Sequence, residues 1–403
     1  MANRPRLLVL NQYYWPGVEA TANLLTELCE ALAETYDVTV ITGASRGLPR
    51  RQERNGVKIV RVRSTAYDRA HLPGRAMNYL SYVLGVIGRA MVSRRRDLVV
   101  CMTDPPFIAS IGRLVAARFR SPLLVVMQDV FPEIAVRLGR LRNPLVVSFL
   151  RLLIDPSLRA ADRVIVIGET MKKRVEAKGV SPGRIRVIPN WGDAASVVPK
   201  PHDNEWARRH KLAKRFVVMH SGNIGHAQNL DALIRASTFL RDLDDLAIVL
   251  IGSGARRAEL VALTRRLEAD KVEILAYQER AILSESLSTA DVHVVGLARG
   301  LAGYVVPSRV YGILAAGRPL IAATDAESET AHLVTEVGCG VVVPPGNPFA
   351  LAAAIRAAHD GEYDLAGMGR RARAFAEAEA DRSIAMRRYG DVLAELQEAG
   401  ARG

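Results

Sequence analysis

The sequence predicts two successive doubly wound α/β domains, and three observations lead there. Short aliphatic runs alternate with longer stretches of helical period along the whole chain. The alternation comes as two series of similar size, parted by Pro199-Lys200-Pro201. At 403 residues the chain also exceeds what one ordinary core encloses. Hydrophobic residues make up 49% of it and aromatics 5%, a balance that suits aliphatic helices covering parallel sheets.

In the first series, residues 6–10 form a continuous apolar run, as expected of a strand buried on both faces. A loop leads to a helix over 22–34, with Leu24, Leu25, Leu28 and Leu32 on one stripe, and then to a strand over 37–42. Residues 57–62 alternate after the turn signal Asn55-Gly56 and give a third strand. A rather apolar helix over 75–93 ends in Arg94-Arg95-Arg96, and 98–102, 123–127, 163–167 and 185–189 read as further strands with helices between. The second series has strands over 216–220, 247–251, 272–275, 292–295, 320–323 and 340–343. Helices are expected over 229–240, 257–269, 281–289, 309–316, 330–336 and 348–358, with a closing helix over about 382–398. The expected division is 1–196 and 197–381, the helix from about 382 to 403 being a candidate to pack back on the first domain.

Residues 1–195 hold 30 Lys and Arg against 16 Asp and Glu, a balance of +14; the remainder holds 25 against 26, or −1, giving the net +13. A field confined to one half implies an anionic partner: nucleic acid, anionic lipid or a phosphorylated substrate. Cys29, Cys101 and Cys339 lie far apart, with neither CxxC nor histidine spacing, and read as buried small residues in a reducing compartment. The N-terminal residues lack the long apolar core of a signal peptide, and no run of about 18 apolar residues exists. The expected location is the cytoplasm, with peripheral binding at the inner face of the cell membrane as the alternative.

In open α/β sheets chemistry belongs to the loops beyond the carboxyl ends of the strands. Gly17, in the loop after the first strand, lets backbone approach a ligand closely, yet the loop lacks GxGxxG, which argues against a dinucleotide enzyme. His220-Ser221-Gly222-Asn223-Ile224-Gly225 and Gly252-Ser253-Gly254 end consecutive strands of the second domain and suit phosphate, base or ribose lying on bare backbone. His220 and His226 are available as bases or ligands, although a lone loop histidine more often does neither. Pro307-Ser308-Arg309 opens a short helix; with Ser308 as N-cap, free backbone N–H groups and the Arg309 charge make an anion seat. Asp129, at the carboxyl end of a buried strand, is placed either to act on an acceptor hydroxyl or to cap the next helix. Asp104 is a weaker version of the same arrangement.

Taken in order, several of these motifs resemble family 4 glycosyltransferases, in particular the bacterial branch that assembles exopolysaccharide and O-antigen units. They are Ile188-Pro189-Asn190, Ser221-Gly222-Asn223-Ile224-Gly225 with Gln228 and Leu230, Gly252-Ser253-Gly254, and Pro307-Ser308-Arg309 with Ala315-Ala316-Gly317-Arg318-Pro319. The resemblance runs from Asn11 to about Pro345. It implies a GT-B architecture, two Rossmann-like domains facing across a cleft, the second holding a sugar nucleotide and the first an acceptor. It also implies transfer of a hexosyl or N-acetylhexosaminyl type of group with retention, without cofactor or active-site metal; no DxD pair is placed as a metal clamp. Expected donor contacts are Gly17, Gly222, Asn223, Gln228, Gly252, Gly254, Pro307, Ser308, Arg309, Tyr311 and Glu329, with Asp129 and Arg309 as the catalytic groups.

The departures narrow these roles. Asn223 and Gln228 stand where the wider family has Arg and Lys, and Tyr304 and Gly312 where it has two glutamates. Arg309 thereby becomes the main identifiable charge for the leaving diphosphate. Arg46, Arg50, Arg51, Arg54, Lys58, Arg61, Arg63, Arg69 and Arg75 crowd the chain before the apolar helix. That helix either lies against an anionic membrane, with Arg94, Arg95 and Arg96 at phosphates and Tyr79 or Tyr82 at headgroup depth, or is a core helix with a solvated cap. A lipid-linked saccharide acceptor suits the first reading. Rival functions are a non-hydrolysing sugar-nucleotide epimerase, whose paired acid and base are poorly met, and a basic nucleic-acid-binding protein. No RNA-binding aromatic pair, zinc pattern or helix-turn-helix signal supports the latter.

Overall fold

The computed structural model describes residues 4–17, 19–44, 47–65 and 72–401. Val18 of the first loop, Arg46 and Arg69 of the basic cluster, and the side chain of Arg75 lie outside them. The chain divides into two compact units, one up to Pro189 with Ala385 onward, the other Asn190–Ile384.

In the first unit the strands are β1 (Arg6–Leu10), β2 (Asp37–Gly43), β3 (Arg51–Arg54), β4 (Val57–Val62), β5 (Leu98–Cys101), β6 (Leu123–Met127), β7 (Arg163–Val166) and β8 (Ile185–Val187). They lie in the order β3-β4-β2-β1-β5-β6-β7-β8, parallel except for the β3–β4 hairpin. Apart from Arg6 at the start of β1 the central strands are buried throughout, which is why each reads as an aliphatic run. β3 goes unread in the sequence because an edge strand of Arg, Gln, Glu and Arg has no apolar face to announce it. Its partner turn, Asn55-Gly56, has positive φ at both residues, the geometry a two-residue hairpin needs. The order in which strands are added reverses between β1 and β5. There Gln12 N–H donates to Asp104 O (2.8 Å), and Asp104 N–H donates to Asn11 Oδ1 (3.0 Å). Trp15-Pro16, Asp104-Pro105 and Phe131-Pro132, one in each loop leaving β1, β5 and β6, are cis.

The second unit has β9 (Phe216–Ser221), β10 (Leu246–Ile251), β11 (Val272–Leu275), β12 (Val292–Gly296), β13 (Leu320–Ala323) and β14 (Gly340–Val343). All are parallel, in the order β11-β10-β9-β12-β13-β14. The switch point lies between β9 and β12, where Ala298 N–H donates to Ala227 O (2.7 Å). A helix absent from the sequence reading, Leu365–Ala378, packs on the short Arg309–Ala315 helix. It does so through small residues: a Cβ at Gly369 would stand 2.4 Å from the Gly317 carbonyl oxygen. Contact through glycine and alanine leaves a weak apolar stripe, so the period is hard to read.

The division falls at Pro189 and Asn190, not at 196–197. The intervening residues bond into the second unit: Gly192 N–H to Ala380 O (2.9 Å), Ala194 N–H to Asp381 (3.2 Å) and Val198 N–H to Ser284 Oγ (3.1 Å). The last helix, Arg382–Ala401, begins in the second unit and belongs to the first from Ala385, where Glu395 pairs with Arg186 (3.2 Å) and Arg163 (3.5 Å). Among the described residues no helix is long and apolar enough to cross a membrane.

Candidate active site

In the second unit the loops leaving β9, β10 and β11 are stitched to one another along the carboxyl edge. Gly222 N–H donates to Ile251 O (2.9 Å), Ile224 N–H to Ser253 O (2.8 Å), and Gly252 N–H to Leu275 O (3.0 Å). This approach dictates the glycines. A Cβ at Gly252 would stand 1.9 Å from the Gly222 carbonyl oxygen, and one at Gly254 would stand 2.4 Å from that of Ile224. Both glycines also have φ near +150°, at +146° and +154°, which side-chain-bearing residues rarely adopt. Gln228 closes the first loop by accepting from Gly225 N–H (3.0 Å), while Asn223 is exposed beside Gly225 and Gly254. These residues therefore build the floor of the edge, and their amides shape it.

Arg309 lies over that floor. Its guanidinium stands 3.4 Å from where a Cβ of Gly222 would be, and its Nη1 is 2.6 Å and 3.0 Å from the two ring nitrogens of His220. His220 is fully buried, and burial, with the Arg309 charge second, holds it well below the usual imidazole range. A neutral imidazole can accept from a guanidinium, so the pairing is consistent. Arg309 retains some surface exposure, yet its charge is enclosed enough that burial pushes its pKa down to about 10, still protonated at neutral pH. Among the described residues no carboxylate pairs with it. A desolvated cation without a counter-ion, on an edge of bare backbone amides, is arranged to take an anion.

Ser308 does not cap the helix. Its own backbone is already helical (φ −64°, ψ −20°) and its side chain makes no capping hydrogen bond, so its hydroxyl lacks the extended geometry that aims back at the first amides. Pro307 and Ser308 instead accept on their carbonyls, from Val310 N–H (3.4 Å) and Tyr311 N–H (3.2 Å). The anion seat thus depends on Arg309 and not on a cap. Tyr311 is buried in the core beneath the helix, its hydroxyl held neutral by burial and then by the Glu329 carboxylate nearby. Glu329 is the first residue of the Glu329–Val337 helix, which Ser328 caps by accepting from Ala331 N–H (3.2 Å).

Two further residues shape this edge and a third holds the helix behind it, none of them singled out in the sequence. Tyr277, 47% exposed, follows β11 and lies within electrostatic reach of Arg309. Asp325, just past β13, fixes the loop after β12 by accepting from Gly300 N–H (2.6 Å). Arg373 donates to the carbonyls of Ala315 (2.5 Å), Val197 (2.8 Å) and Ala194 (2.9 Å), tying down the far end of the Arg309 helix. Tyr277 and Asp325, each two residues past a strand end, could have been singled out by position, whereas Arg373 has no such signal.

In the first unit the corresponding edge is acidic. Asp129 follows β6, and Asp104 follows the neighbouring β5, where it accepts from Thr21 Oγ1 (3.1 Å). Asp129 has some surface exposure, yet burial, with the Asp104 charge second, pushes its pKa up to about 7. It caps no helix among the described residues; the next one, Glu133–Arg137, is entered through Pro132. Gly17 N–H donates to Tyr14 O (2.8 Å), and a Cβ there would meet that oxygen at 2.9 Å, so this glycine is required by its own turn.

Within the basic cluster three side chains are taken up by the fold, while Arg50, Arg51 and Arg63 are exposed. Arg54 pairs with Glu30 (2.6 Å) and lies over the Trp15 ring, and Lys58 pairs with Asp37 (2.6 Å). Arg61 is buried, donating to Pro49 O (3.0 Å) and Trp15 O (3.1 Å). The arginine triplet does not act as one group. Arg94 and Arg95 are exposed, whereas Arg96 turns inward to Thr39 Oγ1 (3.0 Å). All three precede β5 and so lie at the amino edge of the sheet, opposite Asp129. Tyr82 is fully buried, donating to Ile41 O (2.9 Å), and cannot sit at headgroup depth.

Two open parallel sheets in series, each with its candidate chemistry on the carboxyl edge, make this a GT-B protein. HepE of Anabaena, solved in complex with UDP-glucose, superposes with a TM-score of 0.76 over 97% of this chain and 99% of its own, at 17% identity. Residues 20–191 match the model of the glycosyl transferase 4-like domain, and residues 203–375 that of glycosyl transferases group 1. Between them the two matches span most of the chain, which belongs to this glycosyltransferase family. It is 29% identical over 288 residues, 69% of each chain, to WbjE of Pseudomonas aeruginosa, named a probable glycosyltransferase. It is also 30% identical over 205 residues, 50% of each chain, to WcaI of Escherichia coli (strain K12), assigned by name to colanic acid biosynthesis as a glycosyl transferase.

Proposed function

We propose that this glycosyltransferase moves a sugar from a nucleotide-diphosphate donor to a saccharide acceptor of cell-surface polysaccharide synthesis, with retention and without a metal ion. The observation that carries the reading is Arg309: a desolvated, unpaired cation resting on Gly222 beside a neutral His220. As the bond from the anomeric carbon to the diphosphate oxygen breaks, negative charge grows on the diphosphate, and Arg309 with the floor amides meets it. Tyr277 offers an exposed ring on the same edge for the nucleoside. The new bond forms from the acceptor hydroxyl oxygen, whose proton passes to a base. Asp129, titrating near 7, is suited to orient that hydroxyl or take the proton. UDP-glucose in HepE and colanic acid in the name of WcaI support a nucleotide-sugar donor and a polysaccharide product.

The test is nucleotide-dependent. A thermal shift with UDP, GDP or ADP in the presence of a chelator, followed by transfer from the matching sugar nucleotide with the product anomer read by NMR, should be positive and retaining. No shift with any nucleotide, or transfer abolished by the chelator and restored by a divalent cation, would refute the proposal.

A further inference from the structure

Among the described residues two histidines are fully buried, and they differ in what they meet. His293 turns Nε2 to the Leu287 carbonyl (2.9 Å) and leaves Nδ1 without a partner, and burial pushes its pKa down to about 4. Its contact is with a backbone carbonyl inside the core. His220 sits where β9 and β12 part. Their paired register runs through Val218 with Val292 and Met219 with His293, and one residue further on the His220 ring meets the Val294 carbonyl (Nδ1 to O, 3.4 Å). The same ring meets the guanidinium of Arg309.

These partners fix the ring hydrogen. A carbonyl only accepts, so the contact with Val294 places the hydrogen on Nδ1. A guanidinium only donates and needs a lone pair. Nε2, at 2.6 Å the nearer ring nitrogen to Nη1, supplies it. A doubly protonated ring would have none to offer. Burial and the Arg309 charge keep the ring neutral, against the Val294 and Asn223 backbones, which favour its charged form.

The guanidinium is thereby divided between two tasks. Nη1 is taken by His220, and Nε lies 3.4 Å from where a Cβ of Gly222 would stand. Among the described residues Nε and Nη2 make no hydrogen bond, which leaves the fork that matches two oxygens of one phosphate. A carboxylate in place of His220 would orient the same side chain but cancel its charge. A neutral acceptor orients it and leaves the full charge for a ligand.

We propose that His220 is a positioning residue for glycosyl transfer: as the Nδ1–H tautomer it holds Nη1 of Arg309 through the Nε2 lone pair, so that the Nε–Nη2 fork faces the donor diphosphate. The proposal rests on the reading of Arg309 as the diphosphate seat. His220 itself touches no reacting atom. Without this anchor the arginine samples several rotamers, and ordering it on binding costs affinity.

Two measurements on the full chain test the role. With isotopically labelled histidine, the nitrogen resonances that vanish in His220→Gln belong to His220, and in ligand-free wild type at neutral pH they should report the Nδ1–H tautomer. An Nε2–H tautomer or a doubly protonated ring overturns the proposal. The second measurement is a double-mutant cycle with Arg309→Ala, read by calorimetry with UDP, GDP and ADP. His220→Leu is close in volume and lacks the lone pair. It should weaken the nucleotide that wild type binds at least about tenfold, as loss of a hydrogen bond to a charged group does. His220→Gln, whose amide oxygen can accept from Nη1, should regain most of that loss. Once Arg309 is alanine, His220→Leu should change affinity by less than about twofold, whereas a merely structural histidine would cost the same in both backgrounds. Equal affinity of wild type and His220→Leu, or additive losses, overturns the proposal. Melting temperatures report the fold of each variant, and should His220→Leu unfold, the tautomer decides alone. If wild type binds none of the three nucleotides, the diphosphate reading falls and takes this role with it. Wild-type binding with a failed cycle removes the role of His220 alone.

Discussion

At the carboxyl edge of the first sheet, burial and the neighbouring Asp104 push Asp129 up to about 7, while at the same edge of the second sheet burial pushes Arg309 down to about 10. The two units share a topology with its reversal point beside the central strand, and each gathers its unusual ionisable group there. The signs are opposite, and neither follows the charge of its half. The half with a balance of +14 presents carboxylates at its edge, and the half with −1 presents an unpaired arginine. Net charge sets the far field; site charge is set by which groups the fold leaves unpaired.

The comparison breaks first at Arg309. Arg309→Ala should lower kcat by a factor on the order of 10²–10³, as removal of one preorganised charge donor does, while the melting temperature holds or rises. Arg309→Lys should recover part of the rate. A near-wild-type rate for the alanine variant would move the stabilising charge elsewhere.

Asp129→Asn tests the other edge. The expected loss is about 10²-fold in kcat, together with loss of the rise in rate as pH passes through about 7. The stability effect has a definite sign. An unfolded Asp titrates near ~3.9, so between that value and about 7 the folded chain holds a proton the unfolded chain has released. Stability contributed by this group is therefore present at low pH and lost as pH rises through about 7. Asp129→Asn should melt higher than wild type above that pH and equally below about pH 4. A lower melting temperature at high pH would mean that the carboxylate is stabilised by a partner.

The smallest effect concerns the floor. Gly252→Ala should cost about 2–3 kcal/mol, because the added methyl meets a carbonyl oxygen at 1.9 Å on backbone in the left-handed half of φ space. Gly312→Ala is the contrast: its Cβ would meet Leu287 Cδ1 at 3.7 Å inside a helix, and the change should be neutral or stabilising by up to about 1 kcal/mol. Equal denaturation midpoints for the two variants would remove the claim that loop packing dictates the glycines.

Much of the fold was legible in the residues themselves. β4, β6, β11, β13 and β14 lie where the aliphatic runs predict them, and Arg309 opens its short helix where expected. What was missed lacks an apolar signature: the polar edge strand Arg51–Arg54 and the glycine- and alanine-contacted Leu365–Ala378 helix. Of the candidate site, the strand-end loops were found because strand ends are visible, whereas Arg373 came from packing alone.

By itself the sequence determined the two parallel sheets, their loops and the family, because parallel strands buried on both faces require continuous aliphatic runs, and chain order then assigns the loops. Only the tertiary structure decided which charges are free. Arg54 finds Glu30, Lys58 finds Asp37, and Arg96 finds Thr39, while Arg309 finds no carboxylate among the described residues. Pairing and desolvation join residues distant in the chain, and no local pattern records them.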